Sequence, residues 1–197
     1  MSTPTGARSG QPIHCEYVAR PSPPPTLSTT DPHGLIRRLH EIPGRRASAQ
    51  EIEAVRRYLA RVTFEERDVR VPRFLRGRSA GGYTLSSRER PLVVHFVERI
   101  AYDEQWASGT TPEEYLEDLR AAIQDDSARF GIGRPAGSRA PLVYVFADNV
   151  VPEERRGRKS LPVMFVLYGV GPDATITGHQ ASSIDAVRKA NDFRWLR

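Results

Sequence analysis

The spacing of apolar residues predicts two helices after residue 32. Four apolar side chains at helical spacing form the first stripe: Leu35, Ile36, Leu39 and Ile42. Pro43-Gly44 ends it, because proline cannot continue a helix and glycine favours its end. Ser48 and Glu51 have the spacing of a capping box, and a second stripe runs from there to Val62. A strand is predicted next, over residues 62–71.

Two more helices are predicted before the pattern changes. Pro91 opens the first, whose apolar positions continue to Trp106. Thr111, Pro112 and Glu114 open the second, since they supply an N-cap hydroxyl, a first-turn proline and a capping-box carboxylate. The apolar side of this second helix consists of Tyr115, Leu116, Leu119, Ala122 and Ile123.

After residue 126 the pattern becomes alternating or continuously apolar, which predicts strands. The predicted strands cover residues 128–134, 141–151, 161–170 and 174–180. Gly171-Pro172-Asp173 predicts a turn, so the last two strands are expected to pair as an antiparallel hairpin. A short final helix is predicted over residues 182–190, and residues 195–196 are expected to pack on the core.

Together these elements predict an α+β fold, with helices packed on a small, mostly antiparallel sheet. Residues 1–32 are rich in proline, serine and threonine and predict a disordered tail. Residues 33–90 predict a basic helical extension and linker, and residues 91–197 predict the α+β domain. No apolar run reaches the roughly 18 residues of a membrane span. Cys15 is a lone cysteine, so we expect a cytoplasmic protein without disulfides or membrane contact.

The formal charge of +5 is unevenly distributed. Residues 1–90 carry 16 arginines and 9 acidic residues, whereas residues 91–197 carry 13 basic and 15 acidic residues. The basic first half predicts attraction to RNA or another nucleic acid through the phosphate backbone. An acidic protein partner, such as an antitoxin, and an arginine-rich face bound only by water are the alternatives.

The sequence lacks the short motifs that identify common catalytic sites. It contains neither the phosphate-binding glycine loops, nor a His-Glu-x-x-His helix, nor a Gly-x-Ser-x-Gly elbow. The five histidines are scattered along the chain, so neither a metal site nor a cofactor is expected.

Three groups of residues have side chains suited to chemistry. His95 lies in a predicted helix with Arg99 four residues later on the same face, and an imidazole there suits general acid or base catalysis. Strand alternation places Thr175, Thr177 and His179 on one side, which suits a polar cleft beside Gln180. The ordinary alternatives are a half-buried structural histidine and a solvent-facing strand.

The third group is a run of four cations within five residues: Arg155, Arg156, Arg158 and Lys159. Arginine binds phosphate through two parallel hydrogen bonds, so this run predicts a phosphate-contact loop. The alternative is a hydrated hairpin tip, partly neutralised by the adjacent Glu153-Glu154.

The order of two helices followed by antiparallel strands, together with the strand sequence Thr-Gly-His-Gln at 177–180, resembles the small toxin ribonucleases of the barnase, EndoU, colicin and RelE type. The resemblance covers slightly over half of the chain. It implies metal-independent cleavage of RNA by acid/base transesterification, with His95, Thr177 and His179 as catalytic groups. It also implies that Arg155 or Arg156 holds the phosphate, and we expect Arg99, Arg158 and Gln180 to take part in substrate binding as well.

The alternative hypothesis is a non-catalytic module that binds nucleic acid or protein through the arginine-rich first half of the chain. The segments at 102–106 and 194–197 also resemble stretches in uncharacterised actinobacterial proteins.

Overall fold

The computed structural model describes residues 27–65, 95–134, 140–171, 174–186 and 192–196. In these ranges the chain forms an α+β fold with a five-stranded antiparallel sheet, as the sequence predicts. Most of the predicted tail and most of the predicted linker lie outside the described residues.

The α-helices that the structure describes all precede the first strand. They are α1 (Pro32–Glu41), α2 (Ala49–Glu65) and α3 (Pro112–Gln124), with a π-helical turn at Glu98–Tyr102 that continues helical residues 95–97. Within the ranges described, each helix is too short or too polar to cross a membrane.

The first four strands form an antiparallel meander, and the short fifth strand pairs with the first. They are β1 (Arg129–Gly133), β2 (Leu142–Asp148), β3 (Val163–Gly169), β4 (Ala174–Ala181) and β5 (Arg194–Trp195). The spatial order is β4-β3-β2-β1-β5, so β4 and the short β5 form the two edges. The hairpin predicted for the last two long strands is present, with Phe165 opposite His179.

The two faces of the sheet have different neighbours, because side chains alternate along each strand. One face packs against all the helices in a large core that includes Ile52, Leu119 and Val166. The opposite face carries a smaller aromatic cluster around Tyr144 and Phe165. We call these the helical face and the aromatic face.

Both N-terminal helices belong to the large core. Leu39 of α1 and Leu59 of α2 are buried in the same cluster as the side chains of α3 and the sheet. The boundary predicted near residue 90 lies outside the described residues and stays a prediction. Among the described residues, α1, α2 and the sheet share one core.

The C-terminal strand anchors the end of α1. The guanidinium of Arg194 donates hydrogen bonds to the carbonyls of Leu39, His40 and Arg45. A cation is favourable there because the last carbonyls of a helix carry partial negative charge. Gly44, at φ 71°, then turns the chain toward α2 in a conformation that suits glycine.

Three elements differ in the structure from what the sequence predicts. The strand predicted from residue 62 is wrong at its start, because α2 continues to Glu65. The helix predicted up to Trp106 ends earlier, since Glu104 adopts φ 53° and Trp106 forms a β-bridge with Arg156. Residues 182–186 form a bend and a turn rather than a helix, and residues 187–190 lie outside the described residues.

The predicted capping box at α2 is confirmed, and it extends into an ion pair. Ser48 N–H donates to Glu51 at 2.8 Å, and Glu51 N–H donates to the Ser48 hydroxyl at 3.2 Å. Arg45 and the N–H of Leu27 also donate to the same carboxylate. Burial alone would raise the pKa of Glu51, but these donors hold its pKa below the usual value.

We predict that Glu51→Gln destabilises the protein by about 1–3 kcal/mol at pH 7, because it removes the buried negative charge that Arg45 binds. A lowered folded-state pKa gives stability that is present above the unfolded pKa of about 4.3 and is lost as the pH falls through the folded value. Urea unfolding between pH 7 and pH 3 should show the difference from wild type shrinking below about pH 4.3.

Glu53→Gln is the matched control, since Glu53 is exposed on the same helix. It should change stability by less than about 0.5 kcal/mol. If Glu51→Gln and Glu53→Gln lower the free energy of unfolding equally, the proposed role of the buried carboxylate is wrong.

Candidate functional site

The two predicted catalytic histidines lie on opposite sides of the sheet. His179 pairs with Phe165 across the β3–β4 hairpin, and their rings are 4.9 Å apart between centroids. Because Phe165 belongs to the aromatic cluster, His179 projects from the aromatic face.

His95 belongs to the helical layer. Its Nδ1 lies 3.0 Å from a carboxylate oxygen of Glu98, and the next residue, Phe96, packs against Tyr115. His95 thus lies with the helices and His179 on the aromatic face, an arrangement that argues against a shared cleft.

A β-bulge changes the predicted alternation in β4. The register shifts between Leu167 and Tyr168, so that Thr175 faces the helices and its hydroxyl lies 2.8 Å from that of Thr63 in α2. Thr177 remains on the aromatic face with His179. The three side chains expected on one side are thus divided between the two faces.

Two of the predicted phosphate-binding arginines form ion pairs at the surface. Arg99 contacts the carboxylate of Asp103 one helical turn away. Arg158 binds both oxygens of Glu104, which also has Lys159 at 3.7 Å. The hydrogen bond from Arg158 lowers the pKa of Glu104. Arg99, Arg158 and Lys159 are therefore already paired with carboxylates of this chain.

Arg155 has a structural partner. Its Nη2 lies 2.5 Å from Oδ1 of Asp118, whose side chain is 1% exposed. The other oxygen of Asp118 accepts the indole N–H of Trp106 at 2.9 Å. Burial raises the pKa of Asp118 even though both donors favour its ionised form. Arg155 therefore joins the loop before β3 to α3.

Gln180, predicted to bind substrate, instead pairs with Gln105. The N–H and C=O of Gln180 each form a 2.9 Å hydrogen bond with the Gln105 carboxamide, as a neighbouring strand would. The side chain of Gln180 in turn donates to the Gln105 carbonyl and accepts from Ser160 and the Leu161 N–H. Both the nitrogen and the oxygen of the Gln180 carboxamide therefore already have hydrogen-bond partners within the protein.

Tyr115 completes the same edge of β4. Its hydroxyl donates to the carbonyl of Gly178 at 2.6 Å and accepts the N–H of Gly178 at 3.2 Å. Burial raises the pKa of Tyr115, so the hydroxyl stays protonated. Side chains thus satisfy outward-facing backbone groups of β4 that another strand would otherwise use.

The segment 104–107 runs antiparallel beside residues 155–159. Ala107 N–H donates to the Arg155 carbonyl at 2.9 Å, and Gly157 N–H donates to the Gln105 carbonyl at 3.0 Å. A Cβ at position 157 would overlap the carbonyl oxygens of Glu104 and Trp106. Glycine is therefore required by the close approach of the two segments.

A groove of about 250 Å³ opens beside this paired segment, where the β2–β3 connection leaves and re-enters the sheet. Polar and apolar atoms contribute about equally to its wall, and its polar members are Asn149, Arg156, Ser160 and Gln180. The apolar members are Val150, Val151, Leu161, Pro162 and Met164. Leu161 is 38% exposed, although large apolar side chains in this fold are mostly buried.

Arg156 is the predicted phosphate ligand that keeps its guanidinium available. Its Nε donates to the Val151 carbonyl at 3.0 Å, and the residue is exposed at the groove. Among the described residues, no carboxylate forms an ion pair with it. The structure thus places an oriented cation beside a hollow of mixed polar and apolar lining, a mixture that surfaces binding other proteins commonly have.

Sequence reasoning identified Arg156 but missed the groove around it. Residues Asn149, Leu161 and Met164 carry no chemical signal of their own, and Gln105 is 75 residues from Gln180. The sequence shows an apolar pair, Leu161-Pro162, directly after the cation run, but its exposure is known only from the structure.

Within the described ranges, no three histidine, cysteine or carboxylate side chains converge as metal ligands. Comparison of the chain with protein-family profiles, curated proteins and solved structures gives no match. The resemblance to toxin ribonucleases therefore stays a prediction.

We predict that Gly157→Ala destabilises the protein by about 1–3 kcal/mol, because the added methyl group forces apart two paired backbone segments. Chemical unfolding would measure the loss. Gly109→Ala is the control, since a Cβ there meets no atom within 4 Å. Equal stability of the two variants would show that the close approach at Gly157 is not a constraint.

Proposed function

We propose that this chain is a non-catalytic protein-interaction module, and that the groove beside Leu161 and Arg156 holds a segment of its partner. The observation that carries the proposal is the combination of an exposed apolar side chain, Leu161, with an arginine that has no carboxylate partner among the described residues, both at one groove. Interfaces commonly use such exposed apolar side chains and arginines as anchors.

The size of the groove favours a protein segment over a small metabolite. Pockets for small molecules usually have volumes of roughly 300–1,000 Å³. The groove measures about 250 Å³ and is open to solvent on one side, which is enough for one or two side chains. A partner would bury the rest of its contact surface on the surrounding loops.

The placement of the histidines supports binding over RNA cleavage. Acid/base transesterification needs two proton-transfer groups on the same phosphate, within hydrogen-bond reach of the reacting oxygens. His95 and His179 lie on opposite sides of the sheet, and Arg99, Arg155 and Arg158 are each bound to carboxylates. These placements support the binding proposal, and RNA cleavage stays the untested alternative.

The charge of the described part also favours a protein partner over nucleic acid. These residues carry 16 basic and 19 acidic side chains, so the basic excess lies in the residues outside them. A phosphate backbone is attracted by an excess of positive charge, and among the described residues acidic side chains outnumber basic ones. We retain the cytoplasmic location as part of this proposal, on the basis of the lone Cys15.

We expect the purified protein to leave fluorogenic RNA oligonucleotides intact, both with Mg²⁺ and with a chelator. His95→Ala and His179→Ala should match wild type and buffer in the same assay, because the two rings share no cleft. Cleavage by wild type that either substitution abolishes would overturn the non-catalytic proposal.

We also expect selection of a random peptide display library on the immobilised protein to enrich related sequences. Leu161→Asp should abolish the enrichment, since it places a charge in the apolar wall, whereas Tyr102→Asp should not. Tyr102 is the matched control because it is exposed but does not line the groove. Equal enrichment on both variants, or none on wild type, would contradict the proposal.

A further inference from the structure

We infer that the groove recognises an internal partner segment in which an acidic side chain, aspartate or glutamate, adjoins an apolar one. This inference rests on the proposed binding function and names the chemistry of the partner. Arg156 would bind the carboxylate, and the wall formed with Leu161, Pro162 and Met164 would cover the apolar side chain.

The orientation of Arg156 supports a carboxylate. Its Nε is held by the Val151 carbonyl at 3.0 Å, which leaves the two Nη groups for another acceptor. Two parallel hydrogen bonds from one guanidinium match the two oxygens of a carboxylate. The neighbouring cations Arg155 and Arg158 differ, because each already binds a carboxylate of this chain.

The backbone of the groove favours a side-chain carboxylate over a free C-terminus. Proteins that capture a C-terminal carboxylate usually do so with unpaired backbone N–H groups. In this groove the N–H of Asn149 donates to Pro162, that of Ser160 donates to Gly157, and that of Leu161 donates to Gln180. These donors are already used, so the charge of Arg156 carries the recognition.

The side of the groove formed by Met164 and Gln180 is held in place by burial and hydrogen bonds, which favours selection by shape. Met164 is 1% exposed and Gln180 is 2% exposed, and the carboxamide of Gln180 fixes Ser160 and Leu161 by hydrogen bonds. A preformed groove lowers the entropy that binding must overcome. The apolar side chain of the partner would therefore enter a surface that changes little.

The test uses three amidated, fluorescein-labelled peptides that differ at one position: Gly-Ser-Leu-Glu-Ser-Gly, the same sequence with Gln, and the same sequence with Lys. Fluorescence anisotropy on the full chain should show the Glu peptide binding about fivefold more tightly than the Gln peptide, the value of one exposed ion pair. Added salt should reduce that difference. A fourth peptide, Gly-Ser-Gly-Ser-Leu-COOH, tests capture of a free C-terminus.

Arg156→Glu should reverse the preference so that the Lys peptide binds best, and Arg46→Glu should leave the order unchanged. Arg46 is exposed and lies outside the groove. Thermal unfolding of each variant confirms that it is folded, and the comparison of peptides on wild type does not depend on any variant.

The outcomes separate the two proposals. Equal binding of the Glu and Gln peptides, with loss on Leu161→Asp, would overturn the carboxylate inference and leave the interaction module intact. Tighter binding of the peptide with a free C-terminus would also overturn it. Absence of binding by every peptide, together with a failed display selection, would overturn both.

Discussion

The outer edge of β4 is the constraint on which the arrangement of this protein depends. An edge strand has backbone N–H and C=O groups that must be satisfied, and here the Gln105 carboxamide and the Tyr115 hydroxyl satisfy them at Gln180 and Gly178. Because Gln105 is held there, the segment 104–107 lies beside residues 155–159. That pairing places Arg156 and Leu161 at the groove.

The sheet acts as a partition as well as a scaffold. Its helical face is buried under α1, α2 and α3, and its aromatic face forms a second cluster. A single β-bulge in β4 is enough to move Thr175 to the helical face while Thr177 and His179 remain on the other. Residues that are close in sequence are thereby separated onto the two faces of the sheet.

Charge in this fold is mostly used for internal contacts. Arg45, Arg155 and Arg194 join helices, loops and β5 through buried or half-buried hydrogen bonds, so their number says little about an external ligand. Removing a buried charge from water is costly unless a partner compensates it, which explains the reciprocal acidic residues. Arg156 differs because its remaining donors face the groove.

The sequence alone determined the α+β class, the helix caps at Ser48 and Thr111, and the β3–β4 hairpin, since each follows from local spacing, capping chemistry or a turn. It also indicated a run of four cations, of which Arg156 is one. The tertiary structure decided which face each side chain occupies, which cations are neutralised, and where the groove lies. Those features depend on contacts between distant residues, such as Gln105 with Gln180, whose free energy has no signature in local periodicity.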